Sequence, residues 1–262
     1  NLSAGTYTVT VTDYEGCTTT CSVEVNGPSQ ALTCSASQTN AVTCFGGSDG
    51  SASVTPMGGW SSQYSYLWSN NATTSSISNL PAGTYTVTVT DFEGCTSTSS
   101  VTVNGPVQAL TCSASQTNAV TCFGGSDGSA SVTPMGGWSS QYTYLWSNNA
   151  TTSSIGNLTA GTYTVTVTDF EGCTTTCSVM VNGPAESLVC EAQQTNAVTC
   201  FGGSDGSASV TPTGGWNSQY SYLWNTNATT QSISDLTAGT YSVTVTDYEG
   251  CTSTCSVTVN GP

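Results

Sequence analysis

The sequence predicts an all-β chain of tandem antiparallel β-sandwiches, and three observations predict it. The first is a period. Cys44, Cys122 and Cys200 are 78 residues apart, and Gly5, Gly83, Gly161 and Gly239 keep the same step. Self-similarity at a fixed period marks a repeat architecture. The second is strict apolar–polar alternation in short runs, the mark of strands with one buried and one wet face. The third is the regular placing of turn residues between those runs.

The period divides the chain into a 28-residue piece (1–28) and three full repeats (29–106, 107–184 and 185–262). The opening piece matches the last 28 residues of each repeat and reads as two strands joined by a turn. A lone hairpin is marginal in water, so either upstream sequence or a neighbouring chain is expected to complete it, and upstream sequence is preferred.

Within repeat 29–106, Gly83–Thr90 alternates without a break: Tyr85, Val87 and Val89 on one face, four threonines on the other. Ala31–Ala36, Ser51–Thr55, Gln63–Trp68, Thr74–Ser78 and Ser100–Val103 supply further strands. Gly46-Gly47, Asp49-Gly50, Gly58-Gly59, Asn70-Asn71 and Glu93-Gly94 punctuate them. Six or seven short strands at this spacing indicate a sandwich. Leu80-Pro-Ala-Gly-Thr-Tyr85 has the form of a tyrosine corner, and Trp68 stands where an Ig-like strand C carries its core Trp. The expected fold is therefore Ig-like. Each repeat ends in Asn-Gly-Pro, which stops a strand and stiffens the link to the next.

Composition excludes several functions. The chain has no Lys, Arg or His and 15 carboxylates, giving a formal charge of −15. Nucleic-acid binding needs a basic footprint, and none exists; anionic headgroups are disfavoured for the same reason. No segment is apolar long enough to span a membrane, so direct membrane insertion is not expected. General acid–base catalysis usually draws on His, Lys or a tuned carboxylate, and two of these types are missing. No catalytic residue is expected. Thirteen cysteines at recurring positions indicate an oxidising, extracellular setting.

Several residues now carry a family resemblance. Cys44-Phe-Gly-Gly-Ser-Asp-Gly-Ser-Ala-Ser-Val54, Tyr66-Leu-Trp-Ser69, Ala82–Asp91 and Gly94-Cys-Thr96 resemble the SprB-type repeat of very large cell-surface proteins of gliding Bacteroidota. The likeness covers essentially every full repeat. It implies a cell-surface location, export by the type IX route, and a role in adhesion or gliding. It brings no catalytic residue with it. Two features depart from it: additional cysteines at 34, 112, 190 and at 21, 177, 255, and the lack of any basic residue.

The family-like motif holds two cysteines per repeat, and the resemblance implies pairing them: Cys44–Cys95, Cys122–Cys173 and Cys200–Cys251. The additional cysteines leave two pairings open. If the first and last strands run side by side, Cys112–Cys177 and Cys190–Cys255 form and Cys34 faces Ser99. If they bridge adjacent repeats, Cys21–Cys34 and Cys177–Cys190 form. The first is preferred. Zinc is disfavoured by the spacings and by the lack of His.

Each turn near the end of a repeat reads Asp-aromatic-Glu-Gly: Asp13/Glu15, Asp91/Glu93, Asp169/Glu171 and Asp247/Glu249. Two hard oxygen donors per turn make these the candidate Ca²⁺ ligands, although Asp and Gly are also ordinary turn residues. A second acid stands at Asp49, Asp127 and Asp205. Asn71, Asn149 and Asn227 open Asn-Ala-Thr sequons and are candidate glycosylation sites, with further sequons at Asn1 and Asn157. Trp60, Trp138 and Trp216, each after Gly-Gly, are the candidate contact surface, for a sugar or for neighbouring copies of the chain or its repeats.

The leading expectation is an extracellular structural and adhesive repeat array, forming a stalk or fibre on a bacterial surface. Two alternatives stand beside it. One is a module that binds surface glycans through the Trp turns; the other is an ice-binding face made by the Thr ladder.

Overall fold

A computed structural model describes residues 2–138 and 140–262. Among the described residues there are strands and no helices. The chain divides into two compact units. The first comprises 1–110 with 136–140 and 171–173; the second comprises 111–135, 141–170 and 174–262.

In the first unit, β1 (Gly5–Thr12) and β2 (Thr18–Val25) form a hairpin. Repeat 29–106 follows with six strands: β3 (Thr33–Asn40), β4 (Gly50–Met57), β5 (Ser65–Trp68), β6 (Ser76–Leu80), β7 (Gly83–Thr90) and β8 (Thr96–Val103). They make two antiparallel sheets, ordered β3-β4-β6 and β5-β7-β8. The alternation read from the sequence decides which faces meet. Val87 and Val89 of β7 are fully buried, with Val54, Ile77, Leu80, Val101 and Val103 around them and Trp68 at the centre. The threonines of β7 face outward and bond across to β8, Thr84 to Thr102 and Thr86 to Ser100.

The Tyr85 hydroxyl donates to the Pro81 carbonyl at 3.0 Å, closing the tyrosine corner. The Trp68 indole N–H donates to the Thr74 carbonyl at 2.9 Å, so the buried ring keeps its polar atom satisfied. The fold class expected from the sequence, tandem Ig-like antiparallel sandwiches, is the one observed.

The hairpin β1–β2 isolates what the second sheet contributes. It carries the same Gly-Thr-Tyr-Thr-Val-Thr-Val-Thr strand as β7. Yet Val9 and Val11 are 54% and 55% exposed, whereas Val87 and Val89 are 0% exposed. Identical residues are buried only where an opposing sheet exists, because strand alternation selects a face but does not cover it.

The edge strands β3 and β8 belong to different sheets but run side by side. Ser99 Oγ accepts from the Ala36 N–H at 3.0 Å, and Gln38 Oε1 accepts from both the backbone and side-chain nitrogens of Asn104. Contacts ascend together along the two strands, so they are parallel. The Asn of the terminal Asn-Gly-Pro thus anchors the end of the repeat to its own first strand.

The second unit holds β9 (Thr111–Asn118), β10 (Gly128–Met135), β11 (Thr143–Trp146), β12 (Ser154–Leu158), β13 (Gly161–Thr168) and β14 (Thr174–Val181). It then repeats the pattern with β15 (Val189–Asn196), β16 (Gly206–Thr213), β17 (Ser221–Trp224), β18 (Ser232–Leu236), β19 (Gly239–Thr246) and β20 (Thr252–Val259). Disulfides Cys112–Cys177 and Cys190–Cys255 staple first strand to last within these repeats, with Cα–Cα distances of 6.0 and 5.9 Å. At the corresponding place in the first unit, Cys34 lies opposite Ser97 and Ser99.

The remaining cysteines correct the pairing that the resemblance implied. Cys44–Cys95, Cys122–Cys173 and Cys200–Cys251 are not bonded. Cys44 is bonded to Cys173, and Cys122 to Cys251, each across 129 residues. Strand direction is the reason. Cys44 follows β3 and sits at the end of the sandwich where the Val42 N–H bonds the Asn104 carbonyl. Cys95 precedes β8, at the opposite end. A strand of eight residues spans about 26 Å, whereas a disulfide needs Cα atoms within about 7 Å. A partner within the same repeat is out of reach, and the following repeat supplies one.

Candidate functional site at the repeat junction

The junction is built from two loops of one repeat and one loop of the repeat before it. In the second unit the receiving loop is 119–127. The Val120 N–H is held by the Asn182 carbonyl at 2.8 Å. The Thr121 N–H and hydroxyl both donate to the Asp127 carboxylate. These bonds from Thr121 hold the Asp127 carboxyl below the usual carboxylate range. The loop is therefore fixed, with the Val120 carbonyl presented outward and Cys122 beside it.

The inserted part comes from the next repeat. The Trp216 indole N–H donates to the Val120 carbonyl at 2.9 Å, and Cys251 bonds Cys122. One carboxylate positions both. Asp247 accepts from the backbone N–H of Trp216 at 3.2 Å, of Glu249 at 3.1 Å and of Cys251 at 2.9 Å. The Trp loop and the Cys turn, some thirty residues apart, are thereby locked into one rigid plug. Gly215 makes this possible. Its φ is +75°, and a Cβ there would lie 2.6 Å from the Asp247 carboxylate.

The first unit contains the same receiving loop at Val42, Thr43, Cys44 and Asp49. The Trp138 indole N–H donates to the Val42 carbonyl at 2.8 Å, and Cys173 bonds Cys44. It also shows the plug of repeat 29–106, where Asp91 accepts from the backbone N–H groups of Trp60, Glu93 and Cys95. Burial raises the Asp91 carboxyl, and the three N–H donors outweigh it, leaving it below its ordinary value.

Exposure follows engagement. Cys173 and Cys251 are 8% exposed, whereas Cys95 is open to solvent. Phe45 and Phe123, beside the two engaged receiving loops, are 55% and 56% exposed; Phe201, beside the corresponding loop at Cys200, is 92% exposed. Trp138 and Trp216 are half-buried, and Trp60 is 41% exposed. The Trp turns singled out as a contact surface are, at 138 and 216, contacts between repeats.

Of the acids expected to serve as Ca²⁺ ligands, Asp13/Glu15, Asp91/Glu93, Asp169/Glu171 and Asp247/Glu249, the structure shows Asp13, Asp91 and Asp247 accepting backbone N–H groups of their own turns. Among the described residues, no three Cys, Asp or Glu side chains come together as a metal site. Asp91, Asp169 and Asp247 are buried, while Glu93, Glu171 and Glu249 are exposed. The turn at Asp13 and Glu15 has no opposing sheet, and both side chains are exposed. There Asp13 Oδ1 accepts from the Cys17 N–H at 2.8 Å and the Asp13 N–H donates to the Cys17 carbonyl at 2.9 Å, so side chain and backbone of Asp13 together close the turn that holds Glu15. Glu249 instead lines a groove with Asp127 and Trp216, and Glu171 lines one with Asp49 and Trp138.

Asn71, Asn149 and Asn227 sit at exposed turn tips with φ of 66°, 66° and 68°, a conformation Asn tolerates well. Asn157 is exposed as well, and Asn1 lies outside the described residues.

Sequence reasoning missed the Val42 and Val120 carbonyls as acceptors and the role of Asp91 and Asp247 as clamps. A backbone acceptor leaves no trace in residue identity. The clamp left one: Gly-Gly-Trp and Asp-aromatic-Glu-Gly-Cys recur together in every full repeat.

Comparison with known proteins gives one family. The SprB repeat model matches residues 36–73, 114–151 and 192–229. No curated protein matches the chain. Among solved structures, three N-terminal domains of the bacteriophage RB49 outer capsid protein Hoc are 14% identical. That match covers 87% of this chain and 96% of that one, with a TM-score of 0.36. A tetra-tandem repeat from the extending region of a large adhesion protein is 18% identical over 99% of this chain and 82% of that one, with a TM-score of 0.31. A segment of a 1.5-MDa bacterial ice-binding adhesin is 15% identical over 88% and 98%, with a TM-score of 0.35. Superpositions this loose carry no functional argument.

Proposed function

From the premise that the chain carries three SprB repeats, we propose that it is an extracellular structural and adhesive array whose repeats are bolted into a stalk. The observation that carries this reading is the junction: each of the two plugged joints combines a Trp hydrogen bond with a disulfide to the preceding repeat. Freely jointed beads need neither. Disulfides persist in oxidising surroundings, which supports a place outside the cell. An uninterrupted negative charge of −15 supports solubility and weak self-association.

Immunogold electron microscopy with antibodies raised against the folded repeats tests this on intact cells. Gold along threads that project from the surface supports a stalk. Gold only after the cells are permeabilised overturns it. Antibody fragments added during attachment then test adhesion, which they should reduce.

A further inference from the structure

The disulfides and the strand directions together fix a route for tension. In repeat 107–184, β9 runs from the incoming link towards Cys122, and β14 runs from Cys173 towards the outgoing link. Cys122 is covalently joined to the next repeat and Cys173 to the previous one. Strands β10 to β13 lie wholly between these two cysteines. Cys112–Cys177 ties β9 to β14 across the repeat.

We propose that tension along the array passes only through the first and last strand of each joined repeat and bypasses the four strands between them. Each such repeat is crossed by two extended backbones with a rung between them. Extended strands have little length left to give, because a residue spans at most about 3.6 Å. A repeat of this kind transmits pull without unfolding its core. The value of this to a cell rests on the stalk reading; the bypass itself does not.

The consequence is measurable on the whole chain held at its two ends. Counted through the bonds, the shortest route runs 1–44, 173–190 and 255–262. That is about 70 residues, or roughly 250 Å at full stretch. The reduced chain of 262 residues stretches to roughly 900 Å. Because the limit is covalent, it holds for any variant in which the remaining disulfides have formed, which non-reducing peptide mapping reads separately.

Optical-tweezer extension of the oxidised chain, its free thiols first blocked with iodoacetamide, tests this. The expected maximum is about 250 Å, rising between three- and fourfold after reductant. Cys173→Ser breaks the Cys44 bond and moves the route through residue 112. Its expected maximum is about 130 residues, or roughly 470 Å, while Cys95→Ser leaves the maximum unchanged. Extension of the oxidised chain well beyond 250 Å, or lengthening by Cys95→Ser in place of Cys173→Ser, overturns the bypass. Either result leaves the surface-stalk reading standing, and intracellular gold labelling would leave the bypass standing.

Discussion

The indole nitrogen of Trp216 lies 2.9 Å from the carbonyl oxygen of Val120, ninety-six residues away in sequence. The same bond joins Trp138 to Val42. It makes an aromatic ring in one repeat the cap on a backbone acceptor in another. Trp216→Phe keeps the ring and removes the donor. It should lower stability by about 1 kcal/mol, the usual net value of one such bond. Trp216→Ala should cost about 2–3 kcal/mol by also removing apolar contact. Urea unfolding of the oxidised chain measures both, and a Trp216→Phe variant as stable as the parent would show that the hydrogen bond contributes nothing.

The receiving loops make stability fall in acid. Asp49, Asp127 and Asp205 have carboxyls lowered chiefly by bonds from the Thr43, Thr121 and Thr199 side chains, and Asp91 is lowered as well. A group whose folded pKa lies below its unfolded value stabilises the fold above the unfolded value, near 4 for Asp. That contribution disappears as pH falls through the lower folded value. Melting temperature should therefore hold from neutrality to about pH 5 and drop below about pH 4. A variant with Asn at positions 49, 127 and 205 should show a shallower acid limb; an unaltered limb would place the acid sensitivity elsewhere.

Ser99 occupies the place where other repeats carry Cys177 or Cys255. Across from it, Cys34 is unbonded. Ser99→Cys should let Cys34 form a disulfide with the new thiol in a glutathione redox buffer, lowering the mass by about 2 Da relative to the dithiol. Closing a loop of this size contributes up to about 4 kcal/mol, less the Ser99 bond to Ala36 that it removes. Thermal unfolding with and without reductant reads the difference. A variant that stays fully reduced under these conditions would refute the expected approach of the two strands.

Thiol chemistry separates the cysteines without mutation. Cys17, Cys21, Cys95 and Cys200 are exposed and unbonded, and Cys34 is unbonded but half-buried. A maleimide should add to the first four quickly and to Cys34 slowly, stopping at five adducts. After reduction and unfolding the count should reach 13. Rapid labelling of Cys44 or Cys122 in the native protein would contradict the junction bonds.

Much of the fold was legible because it rests on local pattern. Alternation at Tyr85, Val87 and Val89 reports a buried face directly, and Leu80–Tyr85 reports a corner through its spacing. The junction was not legible in the same way. In a chain of near-identical repeats, Cys44 meets the same sequence at Cys95 and at Cys173, and residue identity does not distinguish them. Only the direction of the strand between Cys44 and Cys95 does, through the length it inserts. The clamp role of Asp247 was hidden for a related reason. An acid in a Gly-containing turn looks like an oxygen donor for a cation, and its three backbone partners become visible only when the Trp216 loop is folded against it.

Both halves of the joint are written into the same 78 residues. The receiving loop sits at one end of a repeat and the plug at the other, and each fits its counterpart in any neighbour. Copying a whole repeat in the gene therefore copies a finished connector with it. Lengthening or shortening the array requires no new interface to evolve, and reach becomes a quantity that recombination between near-identical segments adjusts in whole steps.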